Sequence, residues 1–421
     1  MAHLFVLSYV VLVYIRPQDY LSALHGAPVL PVFLIASFVI WLGLPNKSFE
    51  APQYKLLPLF LLSMSASVVF SGWTGGAVGP FMDYGPSVIL FYLLSTSLDS
   101  ADQHARAIRT LAAVTVVLAL HGIAQSWTGI GWSGATLSQG TRITYVGIFS
   151  DPNDLALAFV IALPMVGYAL TEAKSLVVKT FWLACLAALA HGIFLTNSRG
   201  GMLGAIALFL IYLRGRFGIL KTSLAATVGL LGVAMLPTRL NELDAKEESA
   251  ADRLESWYQG IHMLQQYPIF GVGKGNYTDY HHLTAHNSFV LVFAELGLVG
   301  YFLWLSFVGL SLYMVYRIAR SSSAPTPSLS RGDSNNWARY QKISRAYLFA
   351  MVGFIVCAFF LSRSYVILLV ILCALCVALY QSVRRRWPAF APITLGGVAG
   401  AILVFQFGSI FLIYAMVRIL L

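Results

Sequence analysis

The stretch "HHLTAHNSFVLVFAELGLVGYFLWLSFVGLSLYMVYRIAR", residues 281–320, opens with clustered histidines and then runs apolar over 287–318. A bilayer-crossing helix needs ~20 such residues, so the run reads as a span that holds one carboxylate, Glu295. Runs of the same kind lie near 3–16, 28–44, 55–72, 83–98, 106–128, 154–172, 176–197, 200–213, 217–237, 346–362, 364–380 and 390–417. The 421 residues are 58% hydrophobic and 10% charged, with mean hydropathy +0.75. Soluble domains hold ~45–50% apolar and ~25% charged residues. Within lipid only helices and closed barrels satisfy the backbone, and runs this long are helical. The expected fold is an all-α polytopic membrane protein, one integral domain over 1–421 with about 12–13 transmembrane helices.

The formal net charge of +10 sits in short Lys and Arg clusters between apolar runs, the pattern that orients a membrane protein. That distribution argues against a nucleic-acid partner. Placing Lys47/Lys55, Arg106/Arg109, Lys174/Lys179, Arg214/Arg216/Lys221, the six basic residues from Arg317 to Arg345, and Arg384 to Arg386 in the cytoplasm puts 18 of 27 Lys and Arg inside. Arg16, Arg142, Arg199, Arg239, Lys246, Arg253, Lys274 and Arg363 then face outward, joined by Arg418 if the last run crosses. Cys185, Cys357, Cys373 and Cys376 all lie in apolar runs and read as packing residues.

Two outward segments, 129–153 and 238–286, are longer than the usual ~4–6 residue connection, and function is expected there. In the long loop 238–286, "DRLESWYQGIHMLQQYP" (252–268) repeats Leu254, Trp257, Tyr258, Ile261 and Leu264 at helical spacing. This predicts an amphipathic helix ended by Pro268, with Arg253 at its head. "GVGKGNY" (271–277) lacks the spacing of a phosphate loop, and its glycines predict a tight turn. Segment 319–345 contains "SSSAPTPSLSRGDSNN" (321–336) and reads as a cytoplasmic, partly disordered loop.

His281, His282 and His286 invite a zinc reading, but position 283 is Leu where a metalloprotease helix carries Glu, and no third ligand is fixed. No metal or cofactor is expected. An imidazole with pKa ~6.5 suits proton transfer at neutral pH, and His286 stands where loop becomes helix; a solvated helix-start residue is the alternative. Glu295 is eight residues beyond Asn287, about 12 Å deeper along a straight helix, and either supports an outer arginine or makes a structural hydrogen bond. In "FSDPNDLALAF" (149–159) an Asp or Asn caps a helix started by Pro152, and such an N-terminus, with Arg142 upstream, could also hold a phosphate. In "TNSRGGMLG" (196–204) Arg199 occupies a tight outward hairpin, where snorkelling to solvent would also explain it.

Taken in order, "RITYVGIFSDPNDLA", "TNSRGGMLG", "DRLESWYQGIHMLQQYPIFGVGKGNY" and "AHNSFVLVFAELGLVG" resemble the bacterial O-antigen ligase and polymerase superfamily over roughly residues 140–305. The resemblance implies an inner-membrane enzyme that moves a glycan from undecaprenyl pyrophosphate to an acceptor hydroxyl on lipid A core, a growing glycan or a protein. It implies a site facing the periplasm and inverting transfer without a metal. His286 then corresponds to the general base, Arg142, Arg199 and Arg253 to the pyrophosphate-binding cations, and Asn153, Asn287 and Glu295 to supporting residues. The rival reading is a multi-span transporter of an organic anion or lipid-linked glycan. Its one sequence trace is the echo of "LHGI" (120–123) in "AHGI" (190–193), which gives His121 and His191 like positions.

Overall fold

The computed structural model describes residues 2–45, 47–235, 250–321 and 331–421. Its α-helices are α1 (Ala2–Ile15), α2 (Val29–Leu42), α3 (Gln53–Phe70), α4 (Gly79–Ser97), α5 (Ala101–Thr128), α6 (Pro152–Glu172), α7 (Leu176–Leu195), α8 (Arg199–Met235), α9 (Ala250–Gln266), α10 (Tyr277–Tyr280), α11 (Ser288–Arg320), α12 (Arg331–Phe359), α13 (Ile367–Arg386) and α14 (Leu395–Leu420). Their starts follow local chemistry. The side chains of Ser100, Asp151, Ser175, Asn287 and Thr394 each accept a backbone N–H in the first turn of the helix that follows.

Ten helical segments among the described residues are long and apolar enough to cross a membrane. The first two helices have 14 residues each, about 21 Å at 1.5 Å per residue, so each is shorter than the ~30 Å hydrocarbon layer. The expected runs 200–213 and 217–237 appear as α8, broken at Gly218 (φ 77). Burial ranks the bundle from centre to rim. Every residue of α13 from Leu368 to Val383 is buried, whereas α14 buries Gln406, Ile413 and Val417 and leaves Val404, Phe405, Phe407 and Phe411 exposed. A helix apolar all round can serve at either place, so only packing distinguishes the central α13 from the lipid-facing α14.

Two expectations change. Residues 331–345, read as part of a loop, form the first half of α12, because Trp337, Tyr340, Ile343 and Tyr347 recur at helical spacing and are buried. Trp337 meets Trp387 with ring centroids 5.0 Å apart. Residues 322–330 of that segment, and 238–249 of the long loop with Arg239 and Lys246, lie outside the described residues. The second change concerns α11, read as one straight span: it breaks at Gly297 (φ 63, ψ −165), two residues beyond Glu295. The Glu295 carbonyl accepts from Gly273 N (3.0 Å) and the Ala294 carbonyl from Val272 N (2.9 Å), which holds this turn against the loop. A Cβ on Gly271 would fall 2.4 Å from the Glu295 carbonyl oxygen, and one on Gly297 would fall 2.4 Å from that of Ile269. Both glycines have positive φ and allow two backbones to touch. The 23 residues from Leu298 to Arg320 then extend about 34 Å, enough to cross the bilayer unaided.

Ion pairs divide into two sets that match the two sides drawn from the basic clusters. Arg339–Asp102 (2.5 Å), Lys342–Glu172 (2.8 Å), Arg385–Asp99 (2.6 Å) and Arg384–Glu50 (3.9 Å) lie at one end of the bundle. Arg16–Asp19 (2.6 Å), Lys274–Asp83 (3.2 Å) and Arg363–Asp151 (2.5 Å) lie at the other. The histidine echo does not correspond to like environments. His121 is fully buried against Trp132 and Tyr145, whereas His191 is exposed.

Candidate active site

At the end of the bundle that carries Arg16 and Lys274, four loops and α9 converge. The first loop brings Arg142 out of a tight reversal: Gln139 and Gly140 have positive φ, and Ser138 and Arg142 exchange backbone hydrogen bonds of 2.9 Å. Its Nε donates to the Thr196 carbonyl (2.9 Å) at the end of α7, and Nη2 donates to Asn153 Oδ1 (3.1 Å). Asp151 caps α6 by accepting from the backbone N–H (2.8 Å) and Nδ2 (3.0 Å) of Asn153. That cap fixes the Asn153 amide, leaving its oxygen to take both Arg142 and the Ser198 hydroxyl (2.8 Å). Asn153 is thus the pin between α6 and the turn after α7.

Asn197 (φ 49) turns the chain in the left-handed region, and Arg199 is the first residue of α8. A Cβ on Gly201 would sit 2.7 Å from Ala156 Cβ, so glycine lets the start of α8 lie directly on α6. Arg199 is half-buried and forms no hydrogen bond or ion pair among the described residues, and its charge adds to the positive end of the helix dipole.

Segment 284–288 is tied down by the short connection from α12 to α13. Thr284 donates to the Ser362 hydroxyl (3.0 Å), Ser288 Oγ donates to the Leu361 carbonyl (2.6 Å), and Ser288 Oγ accepts from Arg363 N (2.8 Å). Ser364 completes the clasp by donating to the Ser288 carbonyl (2.8 Å). Between these anchors His286 adopts φ 47, an uncommon conformation that the flanking bonds over-determine. Asn287, fully buried, caps α11 through Oδ1 with bonds from Phe289 N (2.9 Å) and Val290 N (3.2 Å).

Arg363 joins the two halves. Its Nη2 donates to Asp151 Oδ2 (2.5 Å) and its Nε to Asp154 Oδ1, while its backbone N–H holds Ser288. A continuous chain of polar contacts therefore runs from Arg142 through Asn153, Asp151 and Arg363 to Ser288, two residues from His286. Sequence reasoning treated Arg363 only as a topological charge, and it left Asp154, Thr284 and Ser288 without a role. The available signal was a lone arginine in the brief polar break "SRS" (362–364) between two apolar runs.

Helix α9 covers the start of α11. Of the expected apolar face Trp257, Ile261 and Leu264 are buried and Leu254 is partly so, while Tyr258 is exposed and Met263 is buried in addition; Trp257 meets Phe359 at 5.5 Å, which in turn meets Phe289 at 6.3 Å. Tyr277 donates its hydroxyl proton to the Ser256 carbonyl, and a Cβ on Gly260 would lie 2.4 Å from Val290 Cγ1. Arg253, half-buried, stands one turn before Trp257 on this helix. Glu295 is 3% exposed and makes no ion pair with an arginine among the described residues.

The remaining histidines lie at the edge of this corner. The rings of His281 and His282 are 4.5 Å apart, and His281 is buried while His282 is exposed. Burial, with the neighbouring His282, holds the His281 imidazole below its ordinary pKa, opposed by Glu255. Among the described residues no three His, Cys, Asp or Glu side chains group as metal ligands.

The arrangement offers an imidazole at the start of α11 and, at the start of α8, the Arg199 guanidinium with Arg142 tied beside it through Thr196 and Asn153; no described contact joins Arg253 to them. Comparison with known proteins bears on the same segment. No curated protein matches the chain. The family model described as O-antigen ligase matches residues 183–305, the stretch that contributes Arg199, Arg253, His286, Asn287 and Glu295. Over those residues the chain is similar to the O-antigen ligase family.

Proposed function

We propose that the chain is a bacterial inner-membrane glycan ligase or polymerase. It transfers an oligo- or polysaccharide from undecaprenyl pyrophosphate to an acceptor hydroxyl, on lipid A core or a growing glycan, at the periplasmic face. His286 takes the hydroxyl proton as the acceptor oxygen attacks the anomeric carbon. The bond from that carbon to the pyrophosphate oxygen breaks, and the electron pair leaves with the lipid diphosphate. Attack opposite the leaving group inverts the anomeric centre. Guanidinium groups of Arg142, Arg199 and Arg253 compensate the charge that gathers on the diphosphate through forked hydrogen bonds.

The observation that carries this reading is the contrast between Arg363 and Arg199. The Arg363 guanidinium is consumed by Asp151 and Asp154, so it is structural, while Arg199 has no protein partner among the described residues. A half-buried cation left uncompensated at a helix N-terminus is a site for an anion. Asn153 holds Arg142 beside that turn, and Arg363, through Asp151, Asp154 and Ser288, ties the His286 loop to the start of α6.

Purified protein supplied with lipid-linked glycan and candidate acceptors tests the assignment. His286→Ala is expected to abolish transfer while the unfolding midpoint stays at the wild-type value. Near-normal turnover by that variant would remove His286 from the chemistry.

A further inference from the structure

At the opposite end of the bundle, a cavity of about 410 Å³ opens between α5 and α12, lined by Asp102, Arg106, Arg109, Thr110, Ala113 and Arg339. Three guanidiniums face one carboxylate there. Asp102 is engaged by Arg339 (2.5 Å), and Arg106 Nη1 lies 2.8 Å from the His3 ring. Arg109 is exposed and has no hydrogen-bond or ion-pair partner among the described residues. The cavity therefore carries positive charge in excess of its one carboxylate among the described residues.

The rest of that α5 face shows what kind of anion fits. Between residues 101 and 120 the exposed positions of α5 are 102, 106, 109, 113, 117 and 120, steps of three and four that form one continuous stripe. Its end near the cavity bears Asp102, Arg106 and Arg109, and the remainder is Ala113, Val117 (40% exposed) and Leu120 (48% exposed). A free anion would use only the charged end. A phospholipid uses both, with phosphate among the guanidiniums and an acyl chain laid along the apolar stripe, where Ala113 leaves room. Basic pockets between transmembrane helices hold anionic headgroups by this logic. We propose that this groove is a binding site for one anionic glycerophospholipid, in the leaflet on the face away from Arg142 and His286.

Native mass spectrometry of the delipidated full-length protein, titrated separately with phosphatidylglycerol, phosphatidylethanolamine and inorganic phosphate, tests this. The wild type should retain one phosphatidylglycerol that the zwitterionic lipid does not replace and that millimolar phosphate does not displace. Arg109→Gln should weaken retention about fivefold, and Arg106→Gln with Arg109→Gln about 25-fold, at roughly fivefold for each charge near a lipid surface. Ala113→Trp should weaken it with every charge intact, and Arg320→Gln, exposed and outside the cavity, should leave it unchanged. Equal phosphatidylglycerol retention by the wild type and the double variant would overturn the site. Displacement by inorganic phosphate alone, or equal retention of phosphatidylethanolamine, would overturn its assignment to an anionic lipid.

Discussion

Arg363→Met tests the clasp that brings the two halves of the site together. The side chain of Arg363 is 21% exposed, that of Asp154 16% and that of Asp151 40%. A hydrogen bond to a charged group contributes ~1.5–3 kcal/mol when sheltered, which is the case for Asp154. The Asp151 pair is screened by water and is worth ~0–1 kcal/mol. The loss is therefore about 2–4 kcal/mol, most of it at Asp154, which is left as a sheltered carboxylate without its cation. Asp154→Asn removes that orphaned charge, so the double variant should recover part of the loss. A double-mutant cycle on unfolding in mild detergent should give a coupling above 1 kcal/mol for Arg363 with Asp154 and a smaller one with Asp151. Because the Arg363 backbone also holds Ser288, loosening this loop displaces His286, and an ångström-scale displacement costs ~10²-fold in turnover. Wild-type stability and turnover in Arg363→Met, or a coupling with Asp151 that exceeds the one with Asp154, would refute the clasp.

Three further outcomes are expected. Gly297→Ala should cost at least ~1–3 kcal/mol from backbone strain, with added cost from the 2.4 Å approach of its Cβ to Ile269, and should lower the thermal midpoint; an unchanged midpoint would mean the break in α11 is not enforced there. Arg199→Gln should raise KM for the lipid-linked donor and leave unfolding unaltered, since the side chain makes no hydrogen bond or ion pair among the described residues; unchanged donor kinetics would exclude it from the site. Burial beside His282 lowers the His281 pKa in the fold, so as pH drops below the ordinary histidine value of ~6.5 the unfolded chain takes up its proton first. Stability should fall with acidification through that window, and His281→Gln should flatten the fall in midpoints read between about pH 5 and about pH 7.5; parallel curves for the two proteins would contradict it.

Composition and the spacing of apolar runs were enough to declare a helical membrane bundle, because lipid leaves a chain few ways to satisfy its backbone. Basic clusters alone sorted the loops into two groups, and the ion pairs formed at each end respect that grouping. Local chemistry also fixed the Asp151 and Asn287 caps and the amphipathic α9, since each depends on neighbours within one or two turns. Arg363 was beyond that reach: its carboxylates are 209 and 212 residues away, and nothing near it in the chain says that it meets them. The break in α11 was hidden for the same reason. An apolar run containing Gly297 reads as one straight helix until the backbone of 268–273 is seen against it, and that contact, made between distant segments, decides where the helix breaks. Sequence determined what each segment is, through short-range bonding and the demands of lipid, while tertiary packing alone decided which segments meet.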